Sequence, residues 1–166
     1  MTLIYPGSFD PVTLGHIDIA LRGAHMATKL IVAVLDNTNK KPLFSTGERV
    51  AFLQDALGHV PNIEIDSFSG LLVAYAAKKS ATAILRGLRS PGDYESEARY
   101  AASNRLLSRG KLDTIFISES PSLSFISSSI VREAAFHIGS VKESALGQMV
   151  SPKVLESLLR RMTALK

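Results

Sequence analysis

The chain of 166 residues contains no cysteine and no tryptophan. Without cysteine there is no disulfide framework, no thiolate zinc site and no cysteine nucleophile, which removes several catalytic chemistries. The longest apolar run, Leu30–Leu35, is far shorter than the about 18 residues needed to span a bilayer, and the N-terminus lacks a signal-peptide pattern. We therefore expect a cytoplasmic protein with no membrane partner.

Two familiar phosphate-binding motifs are also missing. Neither G-x-G-x-x-G nor G-x-x-x-x-G-K-[ST] occurs in the sequence. A net charge of +4 at pH 7 nevertheless favours anionic partners such as nucleotides or phosphorylated metabolites. The basic residues are dispersed and form no long Lys/Arg block, so nucleic acid is not expected as a partner. Any bound phosphate must be held by a different kind of loop.

Composition and periodicity indicate one α/β domain over residues 1–166. Hydrophobic residues make up 46% of the chain and charged residues 20%, which suits one well-buried core. Short β-branched runs alternate with helical patterns, which predicts a Rossmann-like, doubly wound parallel sheet of five strands with helices on both faces. The predicted strands are Leu3–Tyr5, Leu30–Leu35, Ile63–Phe68, Ala83–Leu85 and Thr114–Ile117.

Several helix starts are marked by capping residues. Ser45 and Glu48 form a capping box, Ser151 precedes a proline at the first helical position, and Thr13 can cap the helix after the first strand. The predicted apolar face of that first helix comprises Leu14, Ile17, Leu21 and Ala24. The predicted face of the last helix comprises Val154, Leu155, Leu158, Leu159 and Met162.

The most informative segment is the loop Gly7–His16, GSFDPVTLGH, between the first strand and the first helix. Gly7 lets the backbone approach a ligand closely. The unpaired amides of a helix N-terminus attract an anion, and His16 stands beside them in the first helical turn. We interpret the loop as a phosphate site that His16 faces. The remaining histidines, at positions 25, 59 and 137, lack such a setting and are expected to be structural or exposed.

Two further segments carry groups suited to phosphate. Arg86 and Arg89 flank Gly87 after a buried-looking strand, and guanidinium groups bind phosphate in a fixed, forked geometry. Ser127–Ser129 precedes an apolar helical pattern, so it is either a plain N-cap or the site of a triphosphate tail. Ligands of such sheets collect at the carboxyl ends of the strands, so we expect these segments to lie together.

The loop Gly7–His16 resembles the (T/H)xGH motif of the nucleotidylyltransferase superfamily. Further motifs follow in the order of its bacterial phosphopantetheine adenylyltransferase family, and the resemblance extends from Leu3 to Gly139. The matching segments are Lys40–Phe44, Gly70–Ala76, Arg86–Arg89, Asp93–Glu97 and Ser124–Ser129. This resemblance implies transfer of AMP from ATP to 4′-phosphopantetheine, giving 3′-dephospho-coenzyme A and pyrophosphate. We expect direct in-line attack by the acceptor phosphate.

The resemblance also implies roles for individual residues. The implied catalytic residues are His16, Lys40, Arg89 and Ser128. The implied acceptor-binding residues are Ser8, Lys40, Leu72 and Arg86. The implied ATP contacts are Ser8, Phe9, His16, Gly87, Leu88, Arg89, Glu97, Leu123, Ser124, Phe125, Ile126, Ser127, Ser128 and Ser129.

Cofactor and partners follow from the same resemblance, which implies Mg²⁺ carried by ATP, coenzyme A as a feedback ligand and a homohexamer. No carboxylate cluster stands out in the sequence, so we expect no metal ligands from the protein. Asp93 and Glu95 are interpreted as complements of a helix dipole. The chain departs from the family pattern at Leu123, where an aromatic residue is frequent, and at Ser90–Gly92.

Two alternatives remain open at this point. One is another nucleotidylyltransferase of the same fold that acts on nicotinate mononucleotide or glycerol phosphate, against which Thr13 and Arg86–Arg89 argue. The other is a catalytically silent nucleotide- or RNA-binding module. Such a module would explain the basic charge without requiring His16, Lys40 and Arg89 to converge.

Overall fold

The computed structural model describes residues 1–36, 41–137 and 143–164, with the backbone alone at 143 and 144. Its sheet has the parallel strand order β3-β2-β1-β4-β5, which reverses between β1 and β4. This is the doubly wound order that the sequence predicts. The strands are β1 Thr2–Gly7, β2 Lys29–Asp36, β3 Ile63–Ser69, β4 Ala83–Leu88 and β5 Asp113–Ser118.

The connections between strands are helical, as predicted. Within the described residues, no helix is long and apolar enough to cross a bilayer. The helices are α1 Leu14–Met26, α2 Thr46–Leu57, α3 Leu72–Lys78, α4 Pro91–Leu107, α5 Ser128–Phe136, α6 Glu143–Leu146 and α7 Pro152–Ala164.

The helix caps agree with the sequence in all cases but one. Thr13 caps α1, Ser45 forms its capping box with Glu48, and Ser127 accepts a hydrogen bond from the third amide of α5. Ser151 precedes Pro152 at the start of α7, as predicted, and its carbonyl oxygen accepts from the Leu155 amide at 2.9 Å. Its buried hydroxyl nevertheless makes no hydrogen bond in the described part of the chain, so Ser151 does not cap α7 through its side chain.

The core lies on both faces of β1 and β2. One face packs against α1, α2, α5 and α7, and the other packs against α3. The last helix buries its predicted stripe through Val154, Leu158 and Met162. By contrast, α4 has no buried residue along its 17 positions. One whole face of that helix therefore remains available for contact with another molecule.

The predicted apolar face of α1 is partly wrong. Its buried side chains are Ile19, Ala20 and Ala24, whereas Ile17 and Leu21 are only partly buried. The reason is a close approach of the helix to the sheet at Gly23, where an added Cβ would lie 2.3 Å from Leu85 Cδ2. The helix turns its small residues toward the strands, and the larger ones pack beside them.

A buried arginine connects three segments around the carboxyl edge of the sheet. The Arg49 guanidinium, only 2% exposed, donates to the carbonyl oxygens of Ser8 at 2.8 Å, Leu35 at 3.2 Å and Phe44 at 3.1 Å, and to the Thr46 hydroxyl at 2.9 Å. These acceptors lie after β1, at the end of β2 and at the start of α2. One side chain therefore fixes the spacing of the loops that border the site.

Asp10 fixes the same region from the opposite direction, since its buried carboxylate accepts hydrogen bonds from the amides of Leu43 and Phe44, both at 2.9 Å. We expect Asp10→Asn to lower the free energy of unfolding by about 1.5–3 kcal/mol, because the amide nitrogen would face one of the two N–H donors. Urea denaturation followed by circular dichroism measures the loss. The matched control is Asp113→Asn, whose ion pair with Arg105 is exposed and is expected to change stability by less than about 1 kcal/mol. Equal losses in the two variants would contradict the role of Asp10.

Candidate active site

A cavity of about 280 Å³ lies where the carboxyl ends of β1 and β4 meet the start of α5, and is called the first cavity below. The structure brings together there most of the residues predicted to bind ATP. Those that line it are Ser8, Phe9, His16, Gly87, Arg89, Glu97, Ile126, Ser127, Ser128 and Ser129.

Four predicted ATP residues are not among those that line this cavity. Leu88 uses its carbonyl oxygen to accept a hydrogen bond from the Glu119 amide at 2.8 Å. Leu123 packs against the core, the Ser124 hydroxyl donates to the Pro121 carbonyl, and Phe125 is 61% exposed. Contacts between ATP and these four residues stay a prediction.

His16 is held in one orientation by Thr13. The Thr13 amide donates to His16 Nδ1 at 3.1 Å, so this nitrogen is an acceptor and a neutral ring carries its proton on Nε2. Burial, together with the nearby charges of Arg89 and Arg86, lowers the pKa of His16 to about 4. The Phe9 ring packs edge-on against the imidazole at a centroid distance of 5.2 Å. A neutral Nε2–H donor therefore faces the cavity at pH 7.

The start of α1 offers fewer free amides than the sequence suggests. The Leu14 amide donates to the Met149 carbonyl at 2.9 Å, and the His16 amide donates to the Thr13 hydroxyl at 3.4 Å. The prediction that this helix end as a whole binds an anion therefore needs correction. Protein acceptors occupy most of its donors, and the imidazole of His16 is its main contribution to the cavity.

The start of α5 is better suited to an anion. Its cap, Ser127, accepts from the Ile130 amide at 3.1 Å, which leaves the amides of Ser128 and Ser129 without an acceptor inside the helix. The Ser128 hydroxyl donates to the Pro11 carbonyl at 2.9 Å, so its proton is already engaged. We infer that this segment would hold a phosphate mainly through its amides.

Arg86 bridges the sheet and α4. Its Nε and Nη2 donate to the two carboxylate oxygens of Glu97, both at 2.6 Å, and its Nη1 donates to the Pro6 carbonyl at 3.0 Å. A guanidinium has five N–H donors, so these pairings leave one donor on Nη1 and one on Nη2. Glu97 thereby fixes the plane of the guanidinium group and leaves these two N–H donors available to a ligand.

Arg89 is paired in the same way with Asp93, which lies one helical turn before Glu97 in α4. Its side chain donates to both oxygens of Asp93, at 3.1 and 3.2 Å, and its amide donates to Asp93 at 3.0 Å. Burial alone would raise the pKa of Asp93, but the hydrogen bonds from Arg89 lower it. Asp93 therefore does more than complement the helix dipole, as the sequence suggested, because it also orients a cation of the site.

Gly7 and Phe9 shape the floor of the cavity. Phe9 adopts the left-handed backbone conformation, with φ of 47°, and its side chain is only 1% exposed. A Cβ on Gly7 would lie 2.8 Å from Phe9 Cζ, so this position requires glycine. The ring of Phe9 belongs to the core. A nucleotide can therefore contact the backbone of this residue rather than its ring.

A second cavity of about 510 Å³ adjoins the first. Residues of β1 and the Arg86–Glu97 pair line both cavities. The predicted acceptor-binding residues Ser8, Leu72 and Arg86 all line it. The other lining residues are largely apolar or uncharged: Pro6, Gly7, Leu35, Phe68, Gly70, Leu71, Ile84, Tyr100, Ala101, Asn104 and Thr114.

A third cavity of about 270 Å³ extends the site past α5. It shares Ser8, Ser128 and Ser129 with the first cavity and adds three cationic side chains, Lys41, Arg49 and Arg132. The sequence analysis did not select Arg132, although it lies one helical turn after Ser128. The predicted catalytic residue Lys40 lies outside the described residues.

Glu119 is a lining residue of the first cavity that the sequence analysis missed. It directly follows β5, and the rule that ligands collect at strand ends could have found it. Burial raises the pKa of its carboxyl group, Asp93 and Asp18 raise it further, and Arg89 opposes the shift.

The acidic residues of the site do not form a metal cage. In the described part of the chain, no three His, Asp or Glu side chains lie together as metal ligands. Asp93 and Glu97 are each engaged by an arginine. The side chains present therefore do not fit a magnesium ion held by the protein alone.

The fold is shared with solved structures of distantly similar sequence. A nicotinic acid mononucleotide adenylyltransferase of Plasmodium falciparum, complexed with NaAD, superposes with a TM-score of 0.63, covers 99% of this chain and 95% of its own, and is 15% identical. A lipopolysaccharide core biosynthesis protein of Thermoplasma volcanium superposes with a TM-score of 0.54 over 72% of this chain and 98% of its own, at 20% identity. At such identities the similarity establishes the fold alone.

Sequence comparison establishes the family. The cytidylyltransferase-like family model matches residues 4–134. A phosphopantetheine adenylyltransferase of Caldanaerobacter subterraneus is 51% identical over 140 residues, covering 84% of this chain and 87% of its own. That of Synechocystis sp. is 45% identical over 158 residues, covering 95% of this chain and 96% of its own. The chain therefore belongs to the phosphopantetheine adenylyltransferase family, within the cytidylyltransferase-like proteins.

Proposed function

We propose that this enzyme transfers AMP from ATP to 4′-phosphopantetheine, which yields 3′-dephospho-coenzyme A and pyrophosphate, a step of coenzyme A synthesis. The observation that carries the proposal is the junction of two cavities at Ser8 and the Arg86–Glu97 pair. The first cavity is polar and suits a nucleotide, whereas the second has the apolar lining that a pantetheine arm requires. Two substrates bound in this way meet at a cationic group.

The triphosphate is expected to bind between His16 and the start of α5. The amides of Ser128 and Ser129 and the Nε2–H of His16 supply neutral donors, and Arg89 supplies a charged one. Lys41 and Arg132 line the third cavity, which continues from the same serines. These cations suit the β- and γ-phosphates, which depart as pyrophosphate.

The acceptor phosphate is expected to bind to Arg86. The two remaining N–H groups of its guanidinium face away from Glu97, and Ser8 lies on the wall shared by the two cavities. From there the pantetheine arm extends along Leu72 and Phe68 in the second cavity. Coenzyme A contains the same arm, so as a feedback ligand it would compete for this cavity.

Reaction occurs by direct displacement in this proposal. An oxygen of the acceptor phosphate forms a bond to the α-phosphorus of ATP as the bond to the β-phosphate oxygen breaks, and pyrophosphate carries away the electron pair. A phosphate dianion needs no general base, so the protein acts by positioning the two substrates and stabilising charge. His16 and Arg89 donate toward oxygens whose negative charge grows in the transition state. Lys40 is proposed to assist from the segment before Lys41.

Two further parts of the proposal concern the metal ion and the oligomeric state. Mg²⁺ is proposed to enter with ATP, where it offsets phosphate charge. Self-association, for which we propose a hexamer, is supported by α4, whose Tyr94, Leu106 and Leu107 are 54%, 80% and 57% exposed. Large apolar side chains at that exposure are typical of an interface. A cytoplasmic location stays an expectation.

A test of the function compares acceptors in one assay. The enzyme is incubated with ATP, Mg²⁺ and either 4′-phosphopantetheine, nicotinate mononucleotide or glycerol phosphate, and pyrophosphate release is measured. We expect pyrophosphate to be released only when 4′-phosphopantetheine is the acceptor. Preferential release with either other acceptor would contradict the proposal and identify a different transferase. No release with any acceptor, despite ATP binding, would indicate a silent binding module.

The two paired arginines are expected to serve different substrates. Arg86→Ala should weaken binding of 4′-phosphopantetheine about ten- to a hundredfold and ATP much less, because a charged hydrogen bond contributes about 1.5–3 kcal/mol. Arg89→Ala, the matched control, should show the reverse order. Isothermal titration with each ligand separately gives the affinities. Arg86→Lys should restore only part of the loss, since a point charge cannot replace the fork. Equal losses for both ligands would refute the assignment.

His16 is expected to act on turnover rather than on substrate binding. His16→Ala should lower kcat by about 10²- to 10³-fold, as for loss of one preorganised transition-state donor, and should change both KM values only a few-fold. The control is His25→Ala on the same helix, where the ring is exposed and kcat should not change. A raised KM with unchanged kcat in His16→Ala would mean that this residue binds substrate uniformly.

The lowered pKa of His16 gives a second measurement on the unsubstituted protein. Because the ring favours its neutral form, the folded protein should keep the Nε2–H tautomer as the pH falls from about 7.5 to about 5.5, and should protonate the ring only near pH 4. The ¹⁵N shifts of the ring nitrogens report the change. Protonation near the ordinary histidine pKa of about 6.5 would contradict the neutral-donor role.

A further inference from the structure

Glu119 differs from the other two carboxylates that line the first cavity. Asp93 is paired with Arg89 and Glu97 with Arg86, whereas Glu119 forms no ion pair within the described ranges. Its Oε2 is buried and has no hydrogen-bond partner there either. A buried carboxyl oxygen without a donor is costly, and such a group in a cavity wall gains most from a ligand that supplies one.

Two glycines border this carboxyl group. The Glu119 amide donates to the Leu88 carbonyl at 2.8 Å, which fixes the backbone beside β4. A Cβ on Gly15 would lie 2.9 Å from Glu119 Oε2, and a Cβ on Gly87 would lie 3.6 Å from Oε1. The absence of side chains at these two positions therefore leaves room for the carboxyl group in the cavity wall.

The charge of this region excludes two classes of ligand. A phosphate group would be repelled by the carboxylate, and the phosphate donors of this cavity lie elsewhere, at His16 and the start of α5. A magnesium ion needs several oxygen ligands, but Asp93 and Glu97 are engaged by arginines. A neutral N–H donor fits the charge. The amino group of a nucleobase is such a donor.

Either protonation state of Glu119 can accept such a hydrogen bond. Burial raises its pKa, and the acidic neighbours Asp93 and Asp18 act in the same direction against Arg89. Both the neutral and the ionised carboxyl group keep an acceptor oxygen, so an amino group can donate to either form.

We infer that Glu119 is a specificity-determining residue that binds the edge of adenine by accepting a hydrogen bond from the 6-amino group. The inference rests on the proposed function in one respect, that the nucleotide binds in the first cavity. It makes no use of the acceptor. Binding measurements with nucleotide alone therefore test it separately from adenylyl transfer.

The experiment measures the affinities of ATP and purine riboside triphosphate, which lacks the 6-amino group, by isothermal titration without acceptor. The native enzyme should bind ATP about tenfold more tightly, as expected for a hydrogen bond of about 1.4 kcal/mol. Glu119→Gln should keep this ratio, because its amide oxygen can accept the same hydrogen bond. Glu119→Ala should bind the two nucleotides within about twofold of each other. The control Asp18→Asn should keep the native ratio.

Each contrary outcome has a distinct meaning. A native ratio in Glu119→Ala, or equal weakening of both nucleotides together with a lower Tm, would overturn base recognition. Loss of the ratio in Glu119→Gln as well as in Glu119→Ala would show that an acceptor oxygen at this position is not what distinguishes the nucleotides, which also overturns it. Repeating the titration in EDTA separates a magnesium role, since the ratio should persist without the metal. If the ratio behaves as expected but no acceptor reacts, the proposed function fails and the role of Glu119 stands.

Discussion

The site depends above all on the buried guanidinium of Arg49. Its hydrogen bonds to the carbonyls of Ser8, Leu35 and Phe44 join the loop after β1, the end of β2 and the start of α2. A buried cation is tolerated only when its donors are satisfied, so these carbonyls must stay where Arg49 needs them. Ser8, which borders all three cavities, is thereby fixed by a residue that does not itself line the first two.

In the rest of the site, ion pairs fix the orientation of the cationic side chains. Free arginines would be mobile and strongly hydrated, whereas Glu97 and Asp93 hold Arg86 and Arg89 as oriented forks. The pairs also reduce the net positive charge of the cavity, so affinity for phosphate depends on the geometry of the remaining donors. Amides at the start of α5 and the neutral Nε2–H of His16 supply donors without adding charge. Such an arrangement favours stabilisation of charge that develops during reaction.

Much of this architecture could be predicted from the sequence, since periodicity located every strand of the sheet and the strand-end rule located Arg86, Arg89 and Ser127–Ser129. What could not be predicted depends on contacts distant in sequence. The Leu14 amide is occupied by Met149, and the Ser128 hydroxyl is occupied by Pro11. The sequence close to these residues does not indicate that the two groups are already hydrogen-bonded. Glu119 was missed for a different reason, because a single acidic residue after a strand has no motif to mark it.

The central claim is that the acceptor phosphate attacks the α-phosphorus of ATP directly. The most direct measurement uses ATP with sulfur in place of one α-phosphate oxygen, in a single configuration at phosphorus, and determines the configuration of the dephospho-coenzyme A product. One in-line displacement inverts the phosphorus centre, and our account predicts inversion. Retention would require two displacements through an adenylylated residue of the enzyme, and would contradict the account.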